Sequence, residues 1–210
     1  MPRSSATRCT LRSVAMLLLG LLALPGNLWA DEHAHHHHHP PEAAPAASVS
    51  RSEVAYTLPA LALRSQTGAT VTLPGALDDG RPVLLNFIYT TCTAICPPMT
   101  RIFAEVQEGL GADRGRVRIV SVSIDPEHDT PARLKAYARQ FGADDNWLFL
   151  TGSEAASSAV QKAFNAYRPD KMGHTPVSFI RPAPGRPWVR LDGIAQSSRI
   201  LAELRPMLAR

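Results

Sequence analysis

The stretch NFIYTTCTAICPPMT, Asn86 to Thr100, decides how the rest of the chain is read. It joins the apolar run PVLLNFIY, Pro82 to Tyr89, to a segment where Met99, Ile102, Phe103, Val106 and Leu110 recur at helical spacing. The apolar run reads as a strand buried on both faces. At the junction stand Cys92 and Cys96, separated by three residues where a C-x-x-C redox motif has two. Open α/β sheets keep their chemistry at such carboxyl ends of strands.

Outward from this junction, strands and helices alternate. RVRIVSVSI (Arg116–Ile124) reads as a second buried strand. DTPARLKAYARQFG (Asp129–Gly142) reads as a helix, with Asp129 or Thr130 as cap, Pro131 in the first turn and Gly142 closing it. NWLFL (Asn146–Leu150) is a third strand, and SEAASSAVQKAFNAY (Ser153–Tyr167) a third helix with Ser153 as possible cap. TPVSFIRPAPGRPWVRLDG (Thr175–Gly193) is a hairpin turning at Pro184-Gly185, and Ser197 or Ser198 opens a last helix. Upstream, YTLPALALRSQTGATVTL (Tyr56–Leu73) reads as two strands around a Gly68 turn. Alternation of this kind implies a mostly parallel sheet covered on both faces. The predicted class is α/β: a thioredoxin-like fold with a strand–helix insertion, an N-terminal hairpin and an antiparallel pair at one edge.

The domain organisation follows from composition. Residues 1–30 have the form of a secretory signal peptide: Arg3, Arg8 and Arg12 precede the eleven-residue apolar run VAMLLLGLLAL, and cleavage falls after Ala30. An uncleaved anchor is the alternative, although eleven residues are few for a membrane span. Residues 31–53, rich in His, Pro and Ala, read as a disordered tail. The folded domain is expected over 54–210. Removing the leader's three arginines from a formal charge of +4 leaves +1, and no basic stripe marks a nucleic-acid surface. Export points to an oxidising compartment such as a periplasm. Cys9 leaves with the leader, so Cys92 and Cys96 are the mature chain's cysteines.

Their spacing constrains what they can do. Positions i and i+4 of a helix hold Cβ atoms about 5–6 Å apart, wider than the roughly 3.5–4.5 Å of a disulfide. A direct bond needs local unwinding, or a first cysteine still in the loop. Two thiolates at the wider span can grip one metal ion, and unpaired N–H groups at a helix start favour thiolate. Soft thiolates select Cu(I), Zn(II) or iron–sulfur clusters; two cysteines are too few for a structural zinc site. One imidazole can complete a Cu(I) site. His174 precedes the last hairpin in a loop that a thioredoxin-like fold turns towards the first helix. A solvated loop histidine is the bland alternative, and the expected fate of His128.

Taken together, FIYTTCTAICPPMT, SVSIDPEHDTPARLKAYARQFG and GHTPVSFI resemble the Sco (SenC-like) family of copper proteins over residues 54–208. The resemblance implies copper, Cu(I) or Cu(II), held by Cys92, Cys96 and His174, and a role in assembling the dinuclear copper centre of cytochrome c oxidase. It places Asp125 near the site, where the plainer reading is a turn before Pro126. The implied partner is the copper-bearing oxidase subunit, or another periplasmic copper or thiol protein. Membrane contact is expected only if the leader is retained. One departure is Thr175-Pro176, at the position of the cis-proline that other thioredoxin-like proteins set opposite their cysteines.

Other readings of the pair are a thiol–disulfide oxidoreductase with Cys92 attacking, a peroxidase with Cys96 attacking, and a structural disulfide. In the tail, a chain starting at Asp31 offers a free amine, two amides and the His33 imidazole to Cu(II), followed by His35, His36, His37, His38 and His39. An incidental histidine run is the alternative.

Overall fold

The computed structural model describes residues 48–209. The leader, and the tail histidines from His33 to His39, lie outside them. Eight strands form one mixed sheet: β1 (Ser50–Val54), β2 (Leu61–Ser65), β3 (Thr70–Leu73), β4 (Val83–Ile88), β5 (Arg118–Ser123), β6 (Trp147–Thr151), β7 (Val177–Arg181) and β8 (Trp188–Asp192). The helices are α1 (Cys96–Gly109), α2 (Pro131–Gln140), α3 (Glu154–Ala163) and α4 (Ser197–Leu208). The strand order is β1-β8-β7-β4-β5-β6-β2-β3. β4, β5 and β6 run parallel at the centre, and the flanking pairings are antiparallel.

Alternating side chains divide the core into two layers. From β4, Leu84 and Ile88 join Phe103 and Val106 of α1, Leu134 of α2 and Leu204 of α4 on one face. Val83, Leu85 and Phe87 join Val160 of α3, Phe164 and Phe179 on the other. Every residue of β4 is buried, as its unbroken apolar run requires. The polar exception, Asn86, accepts from Ser121 Oγ at 2.7 Å, and Ser121 in turn accepts from Trp147 Nε1 at 3.0 Å.

Two findings depart from the sequence reading. Strand β1 begins at Ser50, ahead of the domain start expected at Val54, and pairs with β8. The antiparallel β7–β8 pair is therefore not an edge. SRSEV has no apolar alternation to announce a strand; its backbone ladder to β8 holds it. Secondly, Leu73-Pro74 is the one cis peptide among the described residues, so Thr175-Pro176 is trans. The helix caps follow the sequence: Thr130 and Ser153 accept from Arg133 N–H and Ala156 N–H. Gly142, at φ +66°, takes the left-handed conformation after α2. No helix of the described residues is long and apolar enough to cross a membrane.

Candidate metal centre

The site is assembled at the carboxyl ends of β4 and β5. Leaving β4, the chain turns at Tyr89, whose carbonyl accepts from Cys92 N–H at 3.2 Å. Cys92 remains in this loop, and Cys96 is the first residue of α1. Pro97 and Pro98 occupy the first turn, where a missing N–H costs nothing. Helix α1 has no side-chain oxygen cap. The Cys92 sulfur takes that place: Cys96 N–H donates to Cys92 Sγ at 3.4 Å. Both cysteines are free thiols and both are buried.

The two sulfurs are electrostatically unequal. Burial pushes the Cys92 thiol up, but backbone N–H groups of Cys96 and Ala94, the Cys96 thiol and the Tyr89 hydroxyl outweigh it, and the net shift is downward. Cys96 lies deeper, and burial, helped by the hydrogen bond and charge of Cys92, outweighs the opposing Tyr89 N–H and pushes its thiol well up. Of the pair, Cys92 therefore ionises more easily than Cys96, which weighs against Cys96 as a peroxide-attacking nucleophile. Burial also raises the Tyr89 phenol, with help from Cys92, to about 12, so it stays a hydrogen-bond donor.

Asp129 ties the cysteine loop to β5. Its carboxylate is fully buried and accepts from Thr90 N–H at 3.2 Å, from the Thr90 hydroxyl, and from Ser123 Oγ at 2.6 Å. Sequence reasoning placed Asp129 only as a possible helix cap, and missed Tyr89 altogether. An aspartate before Thr-Pro looks like a cap, and nothing local reveals a partner 39 residues earlier.

Asp125, also buried, accepts from Lys171 Nζ at 2.7 Å and lies 3.1 Å from His128 Nδ1. Burial raises its carboxyl, but Lys171 and then His128 reverse this to a net downward shift. His128, read as a solvated loop residue, is thus half-exposed and paired. Lys171 opens a short 3-10 turn, Lys171–Gly173, that His174 closes.

The His174 ring packs at the end of β4, with Nε2 3.2 Å from the Phe87 carbonyl. Because a carbonyl only accepts, Nε2 carries the proton and Nδ1 keeps its lone pair. Burial lowers the His174 pKa against the opposing pull of the Phe87 carbonyl, so the ring is neutral and fit to bind a metal. Sheet register brings the two loops to one end of the molecule: Asn86 pairs with Ser178, so His174 lies just beyond the end of β7 that faces the cysteine loop. Among the described residues, no group of three or more His, Cys, Asp or Glu side chains is gathered to hold a metal ion. Cys92 and Cys96 meet, and His174 stands apart from them at the neighbouring strand end.

The chain as a whole has known relatives. The SCO1/SenC family model matches residues 52–209. The chain belongs to the SCO1/SenC family. A curated relative, the SCO1 protein homolog of Bacillus subtilis (strain 168), is 41% identical over 98 residues, 46% of this chain. The match spans half of that relative's length. Among solved structures, BsSco aligns with a TM-score of 0.64 at 29% identity, covering 75% of this chain and 96% of its own. BsSco is described as carrying a disulfide switch and as a member of the Sco family of cytochrome c oxidase assembly proteins. Bradyrhizobium japonicum ScoI, solved with copper bound, aligns with a TM-score of 0.60 at 28% identity, covering 72% of this chain and 99% of its own. The thioredoxin-like fold of the SCO1/SenC family is therefore the fold of this chain.

Proposed function

We propose that this SCO1/SenC protein carries copper in a periplasmic compartment and delivers it to the dinuclear copper centre of cytochrome c oxidase. Cys92 and Cys96 bind Cu(I) as thiolates, and His174 supplies a neutral imidazole through Nδ1. The observation that carries the reading is the pair of reduced, buried thiols with a helix N–H aimed at one sulfur, and a histidine held neutral at the neighbouring strand end. A thiolate-seeking ion such as Cu(I) matches this donor set. Loading closes the His174 loop onto the cysteine pair, and Asp125 steadies that loop through Lys171. Exchange with a partner protein's disulfide, which takes up the two electrons and leaves as a dithiol, joins the pair as a disulfide, removes both thiolates and releases the metal. Copper-bound ScoI and the oxidase-assembly role given for BsSco support the reading by kinship. The partner is the copper-bearing oxidase subunit. In the tail, His33 and the run His35 to His39 capture Cu(II) outside the main site.

Anaerobic Cu(I) titration tests the site. One tight equivalent is expected in the wild type, lost on Cys92→Ser, Cys96→Ser or His174→Ala. Retention of that equivalent in all three variants rejects the reading.

A second reading, a thiol–disulfide oxidoreductase, is favoured by the inequality of the sulfurs. Cys92 has the lowered pKa of an attacking thiol, and Cys96 is placed to resolve a mixed disulfide. It requires metal-free protein to turn over a disulfide substrate.

A further inference from the structure

Met172 is the most exposed large hydrophobic residue among those described, at 74%, whereas most apolar side chains of this domain are packed away. Exposure alone says little, since single apolar residues are common on surfaces. Its neighbours give it meaning. Met172 lies two positions before His174, on the same short 3-10 turn. Its sulfur accepts from the Tyr89 hydroxyl at 3.6 Å. Tyr89 also turns the chain into the cysteine loop, its carbonyl accepting from Cys92 N–H at 3.2 Å. A surface thioether thus sits against the residue whose backbone holds the buried Cys92. The turn is fixed there: Lys171 Nζ pairs with Asp125 and lies 5.7 Å from the Tyr89 ring centroid. Asp170 caps the turn by accepting from Met172 N–H at 2.9 Å.

A thioether is a soft ligand that suits Cu(I). It carries no proton to displace and no charge to neutralise, so it binds more weakly than a thiolate and lets go more easily. Such a ligand belongs at an entrance. We propose that Met172 is an outer copper ligand, receiving Cu(I) at the surface and passing it past the Tyr89 hydroxyl to Cys92. The inference rests on the copper-carrier reading above and adds the route by which the ion arrives. Copper remains Cu(I) throughout. A copper–thioether bond breaks as a copper–thiolate bond forms, and any proton on Cys92 goes to water. Tyr89 remains a phenol throughout.

The test follows Cu(I) uptake by anaerobic stopped flow, with a cuprous bicinchoninate complex as donor. Met172→Leu keeps the apolar bulk and removes the sulfur. Its loading is expected to slow by about tenfold, equivalent to about 1.4 kcal/mol in the barrier, while Cu(I) occupancy at equilibrium is unchanged. Equal loading rates overturn the inference. A wild type that takes up no Cu(I) overturns the carrier reading instead. A second readout is independent of the buried site. In a Cys92→Ser/Cys96→Ser protein labelled at methionine methyl carbons, Ag(I) is expected to shift the Met172 signal ahead of buried Met99 and half-buried Met207. An unmoved Met172 methyl overturns the inference, including the case where Met172→Leu slows loading only by disturbing the turn.

Discussion

The backbone N–H of Cys96 points at the sulfur of Cys92, 3.4 Å away, so one cysteine caps the helix that the other begins. The arrangement predicts unequal thiols. In Cys96→Ser, Cys92 keeps that N–H and is expected to alkylate with an apparent pKa below the roughly 8.5 of free cysteine. In Cys92→Ser, Cys96 remains buried and is expected to react only well above that value. Iodoacetamide rates followed by mass spectrometry against pH measure both. Coincident profiles would remove the electrostatic basis for the asymmetry.

His174 makes stability sensitive to acid. Its folded pKa lies below the ordinary 6.5 because burial disfavours the charged ring. Below pH 6.5 the unfolded chain takes up a proton that the folded chain resists. Its contribution is therefore undiminished above 6.5 and is lost as pH falls from there towards the folded pKa. In metal-free protein, His174→Phe is expected to flatten the urea midpoint over that window relative to wild type. Parallel pH curves for the two proteins contradict this.

Removing the Asp129 carboxylate strands three donors: Thr90 N–H, the Thr90 hydroxyl and the Ser123 hydroxyl. At a fully buried position, Asp129→Ala should cost roughly 3 kcal/mol, measured by urea denaturation. The released cysteine loop should also raise the alkylation rate of Cys96. A cost within about 0.5 kcal/mol would mean the loop is held by other contacts.

Lys171→Ala should leave global stability within about 1 kcal/mol, because Lys171 is 39% exposed and such pairs contribute little. Its effect should be local. The His174 N–H bonds the Lys171 carbonyl at 3.1 Å, and Gly173 N–H bonds the Asp170 carbonyl at 3.0 Å. Hydrogen exchange at these two amides is expected to accelerate by about tenfold as the turn loses its tether to Asp125. Unchanged exchange would deny the ion pair its positioning role.

The sheet's central strands and all four helices were legible because their signals are local and repetitive. Val83–Ile88 is unbroken apolar sequence, and Thr130, Pro131 and Ser153 mark helix starts by side-chain chemistry. Strand β1 was not legible, since four of its five residues are exposed and its partner β8 lies more than 130 positions away. Around the candidate site, the cysteine spacing and the place of His174 just before β7 could be read directly. The roles of Tyr89, Asp129 and Lys171 could not: each depends on a contact across the fold with a residue of unremarkable local context.

The ladder between β4 and β7 also has a mechanical meaning. Each register step along a strand is about 3.3 Å, and a one-residue slip reverses which side chains face each layer. Asn86 opposite Ser178 and Leu85 opposite Phe179 therefore gauge the gap between the imidazole and the sulfurs. That spacing is set by backbone amides in the dry interior, beyond the reach of solvent, oxidant or ion.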